Sequence, residues 1–246
     1  GFHACRFIAE LRQELEALDA AAFGGMEAII GAYQAINPNM TSLLGCLIVF
    51  NMPFTLAKGL IDALCDVVPA VKPQSAYFEM LGWRGMEPLE EVITHAKGKG
   101  LYVIADIKRG DIGTTATAYA EGWLGTTRVG ETDCAAFDAD CVTLNGYMGS
   151  DAIKPFLDQC VARNKSAFVL AKTSNPSSVE LQDMVAGDRV VYTVMGDLIE
   201  RWGKDTAGKY GYNALGAVVG ATHPSVLKEL RRRLEHTFFL VPGYGA

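Results

Sequence analysis

From about residue 67 to the end of the chain, short apolar runs alternate with longer stretches of helical periodicity. The runs are Val67 to Val71, Tyr102 to Ala105, Cys141 to Leu144, Phe168 to Leu170, Ala217 to Val219 and Phe238 to Val241. Their near-continuous apolar character predicts strands buried on both faces, as parallel sheets require. Between them, Met86 to Ala96 reads as an amphipathic helix punctuated by Gly98 and Gly100, and Pro224 to Leu234 reads as another with Pro224 near its first turn. A βα unit recurring at roughly 20 to 45 residues suits either an eight-stranded (β/α)8 barrel or an open doubly wound sheet, and spacing does not choose between them.

The first 66 residues are less regular. Phe7 to Ala22 and Met26 to Ala35 look helical, Asn37-Pro38-Asn39 breaks the chain, and Leu43 to Phe50 is an apolar run of ambiguous type, with the opening strand as one reading. Phe54 to Cys65 then reads as the helix leading into the run at Val67. No linker, low-complexity tract or internal repeat divides the chain, so one domain over residues 1–246 is expected, with 1–53 poorly assigned. The length agrees, since α/β barrels run to roughly 250 residues as single domains.

Composition adds exclusions. Half the residues are apolar and a fifth are charged, as in a folded protein with a large core. The 22 basic and 28 acidic residues leave a net charge of −6, which gives no electrostatic reason to expect nucleic acid or an anionic membrane as partner. Any anion must be gripped locally. No apolar run approaches the ~20 residues of a membrane span, and Gly1-Phe2-His3-Ala4-Cys5-Arg6 lacks the layout of a secretory signal, so a cytoplasmic setting is expected. Six scattered cysteines read as reduced thiols, and neither they nor the four histidines show a metal-ligand spacing.

The chemistry concentrates in Asp106-Ile107-Lys108-Arg109-Gly110-Asp111-Ile112. The apolar strand ends in Asp106, and on an extended backbone Lys108, two residues later, projects to the same side. Gly110 permits a sharp turn, and Asp111 follows where strand gives way to loop. One such charge is ordinarily a solvated ion pair. Three together would hold a lysine protonated between two carboxylates, a poised proton donor, at the strand end where barrels collect catalytic groups.

These residues resemble the orotidine 5'-phosphate decarboxylases, in the wording of their bacterial second type. Val71-Lys72-Pro73-Gln74, Leu144-Asn145-Gly146-Tyr147-Met148-Gly149, Lys172-Thr173-Ser174-Asn175-Pro176, Val219-Gly220-Ala221-Thr222 and Val241-Pro242-Gly243-Tyr244-Gly245-Ala246 follow in the family's order, over roughly residues 54 to 246. The resemblance implies a (β/α)8 barrel working as a homodimer on orotidine 5'-phosphate, releasing uridine 5'-phosphate without metal or cofactor. It implies Lys108 as proton donor to the pyrimidine carbon that loses carbon dioxide, Asp106 against the departing carboxylate, and Lys72 completing a charged chain. Asp111, Ile112 and Thr115 would reach into the neighbouring subunit's site. Ser174 would hydrogen-bond the pyrimidine, Asn145 and Pro176 would lie near it, Pro242 would line the substrate, and Gly243 and Gly245 would let backbone N–H groups approach the phosphate. An ammonium fixed where carbanion charge develops is the kind of preorganised group that supplies much of an enzyme's rate enhancement.

Two family features have no counterpart. The opening Gly-Leu-Asp-Pro, whose aspartate binds ribose, is absent: Leu18-Asp19-Ala20-Ala21 lies in a helical run and Asn51-Met52-Pro53 is a distant echo. The family also continues beyond the position of Ala246 into a Gln-containing phosphate loop, an eighth strand and a phosphate-clamping arginine, so the expectation is a longer chain or a barrel lacking its eighth strand. The rival readings are a magnesium-dependent sister barrel, a hexulose-phosphate synthase or keto-gulonate-phosphate decarboxylase, and a non-catalytic nucleotide-binding barrel.

Overall fold

A computed structural model describes residues 48–50 and 54–243. In chain order these form β1 (Ile48–Phe50), α1 (Phe54–Leu64), β2 (Ala70–Pro73), α2 (Ala76–Glu79), α3 (Trp83–Gly98), β3 (Tyr102–Arg109) and α4 (Gly113–Leu124). A hairpin of β4 (Thr127–Val129) and β5 (Thr132–Cys134) precedes β6 (Cys141–Leu144), α5 (Ser150–Arg163) and β7 (Ser166–Lys172). Then come the short α6 (Val179–Gln182), a second hairpin of β8 (Val185–Ala186) and β9 (Arg189–Val190), α7 (Val191–Gly203), β10 (Leu215–Val219), α8 (Pro224–Arg233) and β11 (Phe239–Leu240).

Seven strands make one parallel sheet in the order β1-β2-β3-β6-β7-β10-β11. Each barrel strand therefore lies beside the one before it. A doubly wound sheet would reverse this order at a switch point. The sequential order is that of a (β/α)8 barrel, with seven of its strands among the described residues.

Alternate side chains divide the sheet's two faces. Val103, Ala105 and Ile107 of β3, with Val142, Leu144, Ala167, Val169, Ala217 and Val219 from its neighbours, pack with buried residues of the helices, such as Leu89, Ile93, Phe156 and Ile199. Ile104, Cys141, Phe168 and Val218 form a separate apolar layer on the opposite face, with Leu170 and Leu240 against it. Asp106 continues the register of Ile104 on that second face. Polar chemistry thus begins where the inner apolar layer ends.

The predicted helices 7–22 and 26–35 and the start of the run 43–50 lie outside the described residues. The apolar run at Val67 is a strand only in its last part. Val67 and Val68 donate their N–H groups to the Leu64 carbonyl, closing α1, so β2 begins at Ala70. The helix expected from Met86 begins at Trp83 and carries Pro88 inside it, as α5 carries Pro155.

Candidate active site

The loops that leave the strands' carboxyl ends hold the predicted chemistry in two groups. The first spans β2, β3 and β6. Asp106 and Lys108 do converge, with Lys108 Nζ 2.6 Å from Asp106 Oδ1, but not on an extended backbone. The β3–β6 register slips: Ala105 faces Val142 while Arg109 faces Leu144, so three residues of β3 bulge against Thr143. Lys108 sits at φ 47°, the left-handed region that costs a non-glycine residue about 1–3 kcal/mol. The bulge aims the ammonium, and regular alternation does not. Beyond it, Asn145 N–H donates to the Arg109 carbonyl at 2.8 Å and the ladder resumes. Gly110 lets this happen, because a Cβ there would lie 2.7 Å from the Asn145 carbonyl oxygen.

The expected lysine between two acids is an acid between two lysines. Asp106 is 4% exposed, and its Oδ2 accepts from Lys72 Nζ and from Gln74 Nε2 (3.1 Å), its Oδ1 from Lys108 Nζ and from Thr143 Oγ1 (2.7 Å). Burial pushes the Asp106 carboxyl upward, but the Lys72 and Lys108 ammonium groups outweigh it and hold the group below the ordinary carboxylate range. Burial draws the equally enclosed Lys72 downward against the pull of Asp106, with the like charge of Lys108 acting the same way. Bonded directly to the carboxylate, Lys72 stays its charged partner. Lys108 has a side chain 45% exposed, so its ammonium reaches past Asp106 to solvent.

Asp111 is not brought to Lys108. Its Oδ1 accepts from its own neighbour, the Ile112 N–H, at 2.8 Å. Ile112 is 52% exposed and Thr115 is also exposed, at the amino-terminal turn of α4. This places Asp111, Ile112 and Thr115 together on a solvent-facing edge beside the charged array.

The second group gathers the ends of β7, β10 and β11. Gly220 N–H donates to the Lys172 carbonyl (2.8 Å), Ala221 N–H to the Pro242 carbonyl (2.9 Å), and Thr222 Oγ1 to the Ser174 carbonyl (3.4 Å). A Cβ on Gly220 would lie 2.9 Å from Ser174 Cα, and one on Gly243 (φ +80°) would lie 3.5 Å from Ser174 Cβ. Gly220 therefore packs under Ser174 with its N–H spent in the sheet, while Gly243 and Pro242 line the same edge. Pro176 opens a short 3-10 turn after Asn175. Asn145 stands at the end of β6, its Oδ1 accepting from Tyr147 N–H at 3.0 Å. Gly245 lies outside the described residues.

Residues passed over in the sequence also belong here. Thr143 interrupts an apolar run with a hydroxyl, and Gln74 stands within a motif that drew notice for its lysine. Lys172 is fully buried and pairs with Asp183 at 2.6 Å, tying the segment after β7 to the strand end.

The fold and site together define the class: a parallel βα barrel whose strand ends carry a Lys-Asp-Lys array and a second cluster of small and hydroxyl residues. The chain belongs to the orotidine 5'-phosphate decarboxylase / HUMPS family, whose model matches residues 51–246. It is 46% identical over 187 residues to the orotidine 5'-phosphate decarboxylase of Rhodopirellula baltica, an alignment covering 76% of this chain and 61% of that protein. It is 43% identical over 192 residues to that of Caldicellulosiruptor bescii, covering 78% and 63%. The chain thus spans less than two thirds of the length of these curated relatives. Its fold matches the Leishmania donovani OMP decarboxylase structure with a TM-score of 0.68 at 33% identity, over 86% of this chain and 79% of that one.

Proposed function

We propose that this protein decarboxylates orotidine 5'-phosphate to uridine 5'-phosphate, in the cytoplasm, as a homodimer built from a single barrel domain per chain. The observation that carries the reading is the buried Asp106 flanked by Lys72 and Lys108 at the carboxyl ends of β2 and β3, in a chain whose relatives bear that enzyme's name. In this reading the C6–carboxylate bond breaks, carbon dioxide leaves past Asp106, and the electron pair left on C6 takes a proton from Lys108 Nζ. Lys108 is then reprotonated from solvent. Its fixed ammonium acts where negative charge grows, and the Asp106 carboxylate, 2.6 Å from it, orients it. Ser174 binds the pyrimidine, with Asn145 and Pro176 near it, Pro242 lines the substrate, and Gly243 and Gly245 approach the phosphate. Asp111, half-buried, with Ile112 and Thr115, exposed in the single chain, completes the partner's site.

The full-length protein, followed by the ultraviolet change as orotidine 5'-phosphate is consumed, tests this directly. Lys108→Ala is expected to lower turnover by at least about a thousandfold while changing uridine 5'-phosphate affinity far less. Turnover near the wild-type value in that variant would refute the mechanism. The family's description also spans HUMPS, so the same assay run with excess EDTA separates the magnesium-dependent reading, which predicts loss of activity.

A further inference from the structure

Three residues of β3, Asp106, Ile107 and Lys108, face one residue of β6, Thr143, across the bulge. Ile107 turns away into the core under the helices, leaving the acid and the amine on the same side as the threonine. Thr143 is 1% exposed. Its Oγ1 accepts the Lys108 backbone N–H at 3.0 Å and donates to Asp106 Oδ1 at 2.7 Å. A single hydroxyl thus joins the backbone of the proposed proton donor to the carboxylate of its partner. It does so where the ladder has no carbonyl to offer and where Lys108 holds a left-handed conformation.

We infer that Thr143 is a positioning residue of the decarboxylation site, its hydroxyl holding the Asp106 carboxylate and the Lys108 backbone at a fixed angle. The role rests on the reading of Lys108 as proton donor. Its physical content is competition for one oxygen. Oδ1 takes both Thr143 and Lys108, while Oδ2 takes Lys72 and Gln74. With all four donors in place the carboxylate does not swing, so the Lys108 ammonium that bonds Oδ1 at 2.6 Å is held in one direction. Without the hydroxyl, Oδ1 loses the donor that fixes its angle, and the bulge loses the acceptor for its inner N–H. The ammonium then follows a carboxylate that no longer keeps one orientation, and its aim toward the ring carbon is lost.

Thr143→Val keeps the side chain's shape and removes the hydroxyl, and Thr143→Ser keeps the hydroxyl. With the full-length enzyme, and kcat expressed per uridine 5'-phosphate-binding site so that unfolded protein does not count, the valine variant is expected to lose about 10- to 100-fold in kcat. KM and product affinity should stay within about threefold, and the serine variant should recover to within about threefold of wild-type kcat. The acidic limb of the pH profile should also move to higher pH in the valine variant. The charged groups facing Asp106 remain Lys72 from β2 and Lys108 from β3, but a donor to its ionised form is gone. A purely structural threonine would lower the yield of folded sites and move neither kcat per site nor the pH limb. Wild-type kcat in Thr143→Val, or a serine variant as impaired as the valine, overturns the role alone. A wild-type protein that does not turn over orotidine 5'-phosphate overturns the decarboxylase reading and this role with it.

Discussion

Asp106 binds four donors through two oxygens, and the consequence for stability has a definite sign. Its carboxyl is held below the ordinary value in the folded chain, after burial is outweighed by Lys72 and Lys108, whereas in the unfolded chain it titrates near about 3.9. Above that pH both states are ionised and the stabilisation is fully present. It is lost as pH falls through the folded value, because protonation then severs the ion pairs. Asp62, Asp138 and Asp197 are shifted the same way by their own cationic partners, so the wild-type protein should weaken steadily in acid. Asp106→Asn should show a shallower fall in urea midpoint as pH drops below about 4, and an unchanged slope would show that the array adds nothing to acid lability. At this scale the sequence was informative about charge and silent about neutral partners. Asp106 and Lys108 stood out because several charges crowd one strand end, and Lys72 through the resemblance, while Thr143 and Gln74 carry no such mark. The spacing argument also reached the right pair through the wrong geometry, since an i, i+2 relation says nothing of a bulge. It put Asp111 beside Lys108 as well, whereas Asp111 bonds to the Ile112 N–H.

At the level of elements, the connection from β7 to α7 is held by few contacts of high quality. Lys172 Nζ meets Asp183, Thr173 N–H donates to Gln182 Oε1 at 2.9 Å, and Gln182 Nε2 donates to Thr173 Oγ1 at 2.8 Å. These anchor α6 beside the strand end that carries Ser174. Lys172→Met is expected to cost about 1–3 kcal/mol, less than the 3–5 of a fully buried broken pair, because the Asp183 side chain is 40% exposed and water takes over its solvation. Urea midpoints would measure the loss, and faster limited proteolysis within 183–190 would locate it. A variant as stable as wild type would show the pair to be dispensable. Elements with a dominant apolar signal were legible from the sequence: β6 falls on Cys141–Leu144 and α1 on Phe54–Leu64, within one residue of expectation. Others were blurred for local reasons. The run at Val67 joins a helix end to a strand. Pro88 and Pro155 interrupt α3 and α5, and α4 is rich in β-branched and small residues with weak helical patterning. The two hairpins consist of strands of two or three residues, too short for any period to show.

For the whole molecule, the edge formed by the half-buried Asp111 and the exposed Ile112 and Thr115 bears on assembly. If Asp111 serves the partner's site, Lys108→Ala and Asp111→Ala should each be nearly inactive alone. Mixed one to one and allowed to exchange subunits, they should recover about a quarter of wild-type activity, since half the dimers are hybrids and each hybrid has one intact site of two. A mixture that stays inactive would place Asp111 in its own subunit's site. The chain order of the strands was beyond the reach of local pattern, because a barrel and a doubly wound sheet share the same alternation and differ only in which neighbours pair. Because the seven strands of the main sheet run parallel, helix-to-strand connections enter it at the end away from the charged array. The β4–β5 hairpin is such a connection, with all six strand residues exposed and Gly130 at φ 62° in its turn. A folded guest domain spliced between Gly130 and Glu131 should therefore leave turnover at wild-type level, making the hairpin a place where the protein can carry a reporter or a tether.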